Sequence, residues 1–534
     1  MKNINFDCGC SYHIQDKGDK LSIDYDVNSI NFECPKTWAL ISDGNTKGVF
    51  QLESRLGQSM AKKLKPENIE QLAALISIMR PGCLEAIRDG KSVSNHFIDK
   101  KNGLESIDYF NQSLEPILKN TYGEMVYQEQ AMEIAKEIGG FNLQEADMLR
   151  KAIGKKKPEE MAKIKSKFID GCKVVNKVSE DEAEQIFGWI EKSQRYSFNK
   201  SHAVSYAVNA YLSAHSKAHF PVIFFLSYLR LAKDKINPHE EILELISNAK
   251  EMDINVFGPK LVLKNKEFTI DSKRIYFGLT NIKGVGDSVF DKLYDLIRDI
   301  DIKALSWNQT LFQILMNINS VAAKALISVG ALDHLKTSRN RMLYEYNLAC
   351  ELTQKETTNI IEIINANPKQ SLIEAIRVLI STTKIAKNRQ TKVMSIVNQL
   401  ADPPYSLEDD PEWIADNERE LLGVSITCNK TDSYDSSYAN TDCKGIKNFP
   451  NNKQFFIVAE VDSVNTILTK RGKNPGQEMC FLKISDSYGS ADCVVFPEEF
   501  SNHKNLLEAG RVLMFNGQKS GKDNTPIIKK CFVV

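Results

Sequence analysis

Between Arg150 and Lys177 ten basic residues stand against three acids, Glu159, Glu160 and Asp170, for a local net charge of +7. Their placement matters more than their number. Arg150 and Lys151 close an apolar-periodic segment that Gly154 should end, and Pro158 should open the next helix. Lys155, Lys156 and Lys157 then fall in the intervening turn. A lysine run is ordinarily a solvated helix face. Cations gathered at a turn between helices can instead converge on phosphate oxygens, replacing counterions and orienting the ligand.

A second polar group, Asn199, Lys200, Ser201 and His202, lies with Arg195 just before an apolar run, where helix-start amides would add affinity for an anion. A third candidate is Ile282–Asp287, "IKGVGD". Gly284 and Gly286, beside Lys283, would let backbone amides approach a phosphate as in a helix–hairpin–helix contact with duplex DNA, and Val321–Leu335 could supply a companion helix and turn. Near the C-terminus Lys470, Arg471 and Lys473 occupy a loop between alternating segments, with Phe455, Phe456 and Phe481 close by. That mixture suits single-stranded nucleic acid on an OB-fold, although aromatics in a small barrel also serve as core. Cys8, Cys10 and His13, with Cys34 further on, are residue types that zinc accepts. The usual Cys-x-x-Cys knuckle is absent, so a strand-paired or disordered N-terminus without metal is the preferred reading.

The elements that must hold these groups follow from periodicity. Residues 1–35 are an N-terminal extension with a brief strand in "KLSIDYDV". Residues 36–235 read as a large helical domain: Pro66 stands near a helix start, Gly139-Gly140 marks a stop, and Ser179 with Glu182 forms a capping-box signature. Residues 236–400 pass through short strands and breakers into the hairpin and further helices. Residues 401–450 form an acid-rich connector entering a short helix, with a net charge of −6 over 404–420. Residues 451–534 alternate apolar and polar with turn signals, as a small all-β barrel does. The fold class is multidomain α+β.

The whole chain is 534 residues with 69 basic and 69 acidic side chains, and 42% of it is hydrophobic. That composition excludes a largely disordered chain and a uniformly basic nucleic-acid binder, but not one whose charge is concentrated. Eleven cysteines without a dense framework read as mostly reduced and buried. The most apolar stretch, 221–229, is too short to span a bilayer, so a cytoplasmic protein without a membrane role is expected.

The order of these motifs resembles the alpha subunit of bacterial DNA polymerase III, the C-family replicative polymerase. "NTKGVFQLES" (45–54), "LAALISIMRPG" (72–82), "YGEMVYQEQAMEIA" (122–135), "ADMLRKAIGKKKPEEM" (146–161) and "FNKSHAVSYA" (198–207) look like its fingers signatures. "YFGLTNIKGVG" (276–286) and "VGALDHL" (329–335) resemble its helix–hairpin–helix region, and "NERELLGVSIT" (417–427) and "VDSVNTILTKRG" (461–472) its OB region and approach. The resemblance implies that Arg150, Lys151, Lys155–Lys157, Lys200, Ser201 and His202 line the triphosphate of an incoming dNTP. It also implies primer–template DNA as a partner, and a sliding clamp as a further one. Where the family usually has two arginines this chain has Arg150-Lys151, and lysine keeps the charge but loses the bidentate fork.

Polymerase chemistry needs two divalent metals held by carboxylates. The family's Pro-Asp-x-Asp-x-Asp-Phe palm run and its PHP domain are absent from these residues, and the Asp-x-Asp pairs present, Asp24/Asp26 and Asp299/Asp301, are poor candidates. Asp7 is a faint match to the third palm aspartate. The expectation is therefore the fingers, helix–hairpin–helix and OB portion of a split polymerase, with no catalytic residue of its own. Mg2+ would be bound only in complex with a palm-bearing chain. The alternative is a non-catalytic DNA-binding or replication-modulating derivative.

Overall fold

The computed structural model describes residues 2–16, 21–24, 30–155, 158–175, 177–193, 196–383, 386–469, 475–521 and 525–534. They fall into two compact units, 1–224 and 225–534.

The first unit opens with a three-stranded antiparallel sheet, β1 (Lys2–Asn5), β2 (Ser11–Asp16) and β3 (Leu21–Asp24), in that order. Helices follow: α1 (Pro35–Ser42), α2 (Ile69–Ile78), α3 (Gln128–Glu137), α4 (Leu143–Lys155), α5 (Pro158–Val175), α6 (Glu180–Ser193) and α7 (Lys200–His219). Local signals set most ends. Asn68 caps α2 beyond Pro66, its side chain accepting the Gln71 N–H. α3 stops before Gly139, and Gly140 takes φ +66°, a conformation that favours glycine. Ser179 and Glu182 cap α6 reciprocally, with Ser179 N–H donating to Glu182 Oε2 at 2.8 Å and Glu182 N–H to Ser179 Oγ at 3.3 Å. The stop expected at Gly154 is overrun, since α4 continues to Lys155. One glycine in a helical interior costs only about 1 kcal/mol.

Two arrangements shape this unit. In the first, Phe141, Leu149, Phe168, Ile186 and Phe187 join α4, α5 and α6 in one core. There α5 passes so close to the end of α3 that a β-carbon on Gly171 would overlap the Gly139 carbonyl. In the second, Ala203, Ala207, Ala210, Ala214 and Ala218 form a buried stripe on α7, against which α2 packs. Lys217 on the same helix is fully buried and donates to the carbonyls of Asn45 (3.0 Å) and Lys47 (2.8 Å), fastening the 45–48 loop to α7.

The second unit carries α8 (Asp287–Ile297), α9 (Ser320–Ser328), α10 (Arg339–Ala349) and α11 (Pro411–Leu422). The acid-rich connector does enter a helix, α11, and its acids are structural partners. The Asp409 carboxylate accepts the N–H groups of Arg339 and Asn340 at the start of α10, both at 3.0 Å. Glu418, fully buried, accepts from Arg339 (2.8 Å) and from the amides of Ile426 (2.6 Å) and Thr427 (2.8 Å). A buried pair is tolerated when its remaining hydrogen-bonding capacity is filled this way.

Residues 454–533 close into a five-stranded barrel: β4 (Gln454–Leu468), β5 (Glu478–Asp486), β6 (Gly489–Val495), β7 (Val512–Lys519) and β8 (Pro526–Val533), ordered β5-β6-β8-β7-β4. β6 and β8 pair in parallel, the other neighbours antiparallel, and α12 (Pro497–His503) lies between β6 and β7. This is OB-fold topology. Among the described residues no helix is long and apolar enough to cross a membrane.

Candidate nucleotide and nucleic-acid sites

In the first unit four of the five motif blocks, 45–54, 72–82, 122–135 and 198–207, converge on the start of α7. Phe198 pairs like a strand with residues 126–128: its N–H donates to the Val126 carbonyl (3.0 Å), and Gln128 N–H donates to the Phe198 carbonyl (2.9 Å). Arg80, from the "RPG" block, stacks its guanidinium 3.7 Å from the Phe198 ring centroid and is otherwise exposed. The His202 ring lies 4.0 Å from Tyr206, and Tyr206 lies 5.2 Å from Phe50 of the "NTKGVF" block. Ser201 and His202 face solvent.

The helix start itself is already capped by the protein. Asn199 Oδ1 accepts the His202 N–H at 2.8 Å. Glu129, at the beginning of α3, accepts the Lys200 N–H (2.9 Å) and the Asn199 Nδ2 amide (2.9 Å). A carboxylate thus sits where sequence reasoning placed an anionic ligand, because the same dipole and free amides attract either. The Lys200 ammonium lies 3.7 Å from Glu70 and 5.8 Å from the Tyr127 ring centroid.

The cationic segment is treated likewise. Arg150 donates to Asp147 Oδ1 through Nε (3.0 Å) and Nη2 (2.8 Å), and Lys151 reaches Oδ2 of the same carboxylate at 2.7 Å. Hydrogen bonds from Lys151, then Arg150, hold the Asp147 carboxyl below its ordinary range. Lys165 faces Glu184 at 3.6 Å, Lys173 faces Glu180 at 2.8 Å, and Lys167 pairs with Glu145. The local +7 is therefore offset by acids on α4 and α6 that lie outside the segment. These pairs are exposed and screened by solvent, so a polyanion competes with them readily. The side chains of Lys155, Lys156 and Lys157, and all of Arg195, lie outside the described residues. α3 links the two groups: its first turn holds the start of α7, and its body packs on α4, which carries Arg150 and Lys151.

Arg80, Glu129, Phe198 and Asp147 were not assigned from sequence. Each lies inside a quoted block, yet their roles depend on pairings across the fold or on acids just outside the basic run.

In the second unit Gly284 takes φ +94°, and Gly286 is the N-cap of α8. A β-carbon on Gly284 would meet the Val321 side chain at 3.0 Å, so the glycine lets the hairpin turn seat against α9. α9 and the Gly330 turn are the companion pair expected within Val321–Leu335. Lys283 donates its N–H to the Leu421 carbonyl at 2.8 Å, and its ammonium, 3.9 Å from Glu420, remains largely exposed. On the barrel Phe455 is core, whereas Phe481 is 46% exposed on β5, next to the β4–β5 loop. Lys470, Arg471 and Lys473 in that loop lie outside the described residues.

No carboxylate cluster suited to a magnesium pair occurs among the described residues. Asp299 pairs with Arg298 (3.1 Å) and Asp301 accepts the Lys303 N–H (3.1 Å), while Asp26 and the Asp24 side chain are not described.

A helical unit with basic and aromatic side chains around a helix start is thus followed along the chain by a helix–hairpin–helix turn and an OB-fold barrel. Residues 12–176 match the bacterial DNA polymerase III alpha subunit finger domain, and residues 253–342 match the helix–hairpin–helix motif. The DNA polymerase III subunits alpha of Aquifex aeolicus and Pseudomonas aeruginosa are each 31% identical to the chain over 93% of its length. That of Bacillus subtilis is 30% identical over the same share. The chain is thus a relative of the bacterial DNA polymerase III alpha subunits, and it spans 38% of the Aquifex aeolicus subunit and 41% of the other two.

Proposed function

We propose that this chain is the nucleotide- and DNA-binding portion of a C-family DNA-directed DNA polymerase acting in replication. The observation that carries this reading is the placing of Arg80, stacked on Phe198, with Lys200, Ser201 and His202 at the start of α7, in a chain whose residues 12–176 match a finger domain. Asn199 shapes that helix start, and Arg150, Lys151 and the 155–157 lysines add to the charge an incoming dNTP triphosphate meets. Arginine can grip phosphate oxygens in a bidentate manner, whereas lysine neutralises them as a point charge.

The hairpin, through Lys283 and the amides around Gly284 and Gly286, follows the sugar-phosphate backbone of the primer–template duplex without reading sequence. The barrel, through Phe481 and Lys470, Arg471 and Lys473, holds the single-stranded template by stacking and charge.

The described carboxylates do not fit a magnesium pair, so the chemical step is assigned to palm aspartates on a separate polypeptide. Mg2+ enters only with that partner. The test is primer extension by the purified chain, alone and with the adjacently encoded polypeptide. Extension that requires both is the expected result. If a complex with the palm-bearing chain forms and extends nothing, the reading fails in favour of a non-catalytic DNA-binding role. That role predicts salt-sensitive primer–template binding that dNTP does not tighten.

A further inference from the structure

The turn between β1 and β2 brings Cys8 and Cys10 to one side. Gly9 takes φ +84° between them, and the Phe6 N–H donates to the Cys10 carbonyl at 2.9 Å. Cys34 stands at the N-cap of α1, and His219 ends α7. The four ligand atoms lie within 4.8 Å of one another. Cys34 Sγ is 3.3 Å and Cys8 Sγ 3.8 Å from His219 Nε2. Zinc bonds of roughly 2.3 Å to sulfur and 2.0–2.1 Å to nitrogen give a tetrahedron with edges of about 3.5–3.8 Å. The observed spread is thus slightly wider than the bound geometry, and side-chain rotation can close it.

We propose that Cys8, Cys10, Cys34 and His219 form a structural zinc site that clips the N-terminal sheet to α1 and to the end of α7.

Two further observations support the assignment. Cys10, Cys34 and His219 are buried and Cys8 is half-buried, and Phe6, Tyr12 and Phe220 pack around them. Four protein ligands under such a cover leave no open coordination position, as befits a structural rather than a catalytic site. The His219 Nδ1 is buried with no hydrogen-bond partner among the described residues, and its Nε2 faces the Cys8 and Cys34 sulfurs, weak partners for a buried imidazole.

Binding releases the three thiol protons, so zinc, three thiolates and a neutral imidazole leave a site charge of −1. His215, one turn earlier on α7, is 3.7 Å from Cys10 Sγ and 2.9 Å from the Tyr12 hydroxyl. It is the rival nitrogen ligand. The Cys-x-Cys spacing, unlike a zinc knuckle, works here because the glycine turn points both thiols the same way. The fourth ligand arrives from 185 residues beyond Cys34.

The experiment is elemental analysis of the full chain purified from zinc-supplemented cells, followed by cobalt substitution. About one zinc per chain is expected, with an intense thiolate-to-cobalt absorption and tetrahedral ligand-field bands after exchange. Cys34→Ser and His219→Ala should each weaken zinc binding by at least about tenfold in chelator competition. His215→Ala and Cys350→Ser, the latter at an exposed cysteine, should keep a full equivalent. Less than about a tenth of an equivalent of zinc with no cobalt–thiolate band overturns the proposal. So does retained affinity in the Cys34 and His219 variants, or iron with acid-labile sulfide. Loss in His215→Ala but not in His219→Ala overturns the ligand set. If Cys34→Ser is insoluble, the cobalt spectrum of the unaltered chain decides.

Discussion

The Glu129 carboxylate receives the Lys200 backbone N–H at 2.9 Å, so the first amide of α7 is held by an acid from another helix. A triphosphate approaching that helix start must displace Glu129 or bind through side chains rather than the first amide, those of Arg80, Lys200, Ser201 and His202 among them. Glu129→Gln keeps the hydrogen-bond shape and removes the competing charge. Its dNTP affinity in the presence of primer–template should rise about fivefold, from roughly 1 kcal/mol of relieved repulsion. Thermal stability should fall slightly as the charge-assisted caps weaken. Titration calorimetry of wild type and variant checks this, and weaker dNTP binding would refute it.

The crossing of α5 over the end of α3 admits no side chain at Gly171. Gly171→Ala should destabilise the first unit by about 1–3 kcal/mol despite alanine's better helix propensity. Denaturant unfolding followed by the fluorescence of Trp189, which packs on the same core, reports it. A stabilised variant would show that the two backbones are not in contact.

Lys283 should act on duplex affinity without regard to sequence. Lys283→Ala is expected to lower the slope of log affinity against log salt by about 1, weakening every duplex alike. An unchanged slope, measured by anisotropy across a salt series, would remove Lys283 from the backbone contact.

Phe481 stands outward on β5 while Phe455 lies in the core, so their truncations should separate binding from folding. Phe481→Ala should cost about 1–3 kcal/mol of single-strand affinity with an unchanged melting temperature. Phe455→Ala should cost about 3–5 kcal/mol of stability. Loss of barrel stability in the Phe481 variant would mean that its exposed ring is structural.

Glu356 gives a pH-dependent prediction in the second unit. Arg389 donates to its two oxygens at 2.8 and 2.7 Å, and this pairing, against the opposing effect of burial, lowers the Glu356 pKa. A carboxyl lowered on folding adds stability above its unfolded value, near 4.3, and loses it as pH falls through the folded one. Glu356→Gln should therefore cost about 1–3 kcal/mol at pH 7 and progressively less toward pH 3. Parallel melting curves of both proteins across that range are the measurement, and a pH-independent gap would deny the pair its role.

Sequence alone determined whatever depends on neighbours along the chain. The Ser179–Glu182 box, the Gly140 stop, the alternation that closes the barrel and the glycine hairpin at 284–286 are local solutions to backbone hydrogen bonding and chain reversal. The motif blocks could be read for the same reason. Tertiary structure decided which charges meet. Asp147 reaches Arg150 and Lys151 within one helix turn, but Glu129 finds Lys200 from 71 residues away, and Glu418 finds Arg339 from 79. The cysteines show the division most plainly. Sequence proximity suggested His13 beside Cys8, Cys10 and Cys34; the His13 side chain lies outside the described residues, and the fold brings His219 to the three cysteines. Hydrogen bonds and metal bonds act over a few ångströms, and only packing determines which distant residues come within that range.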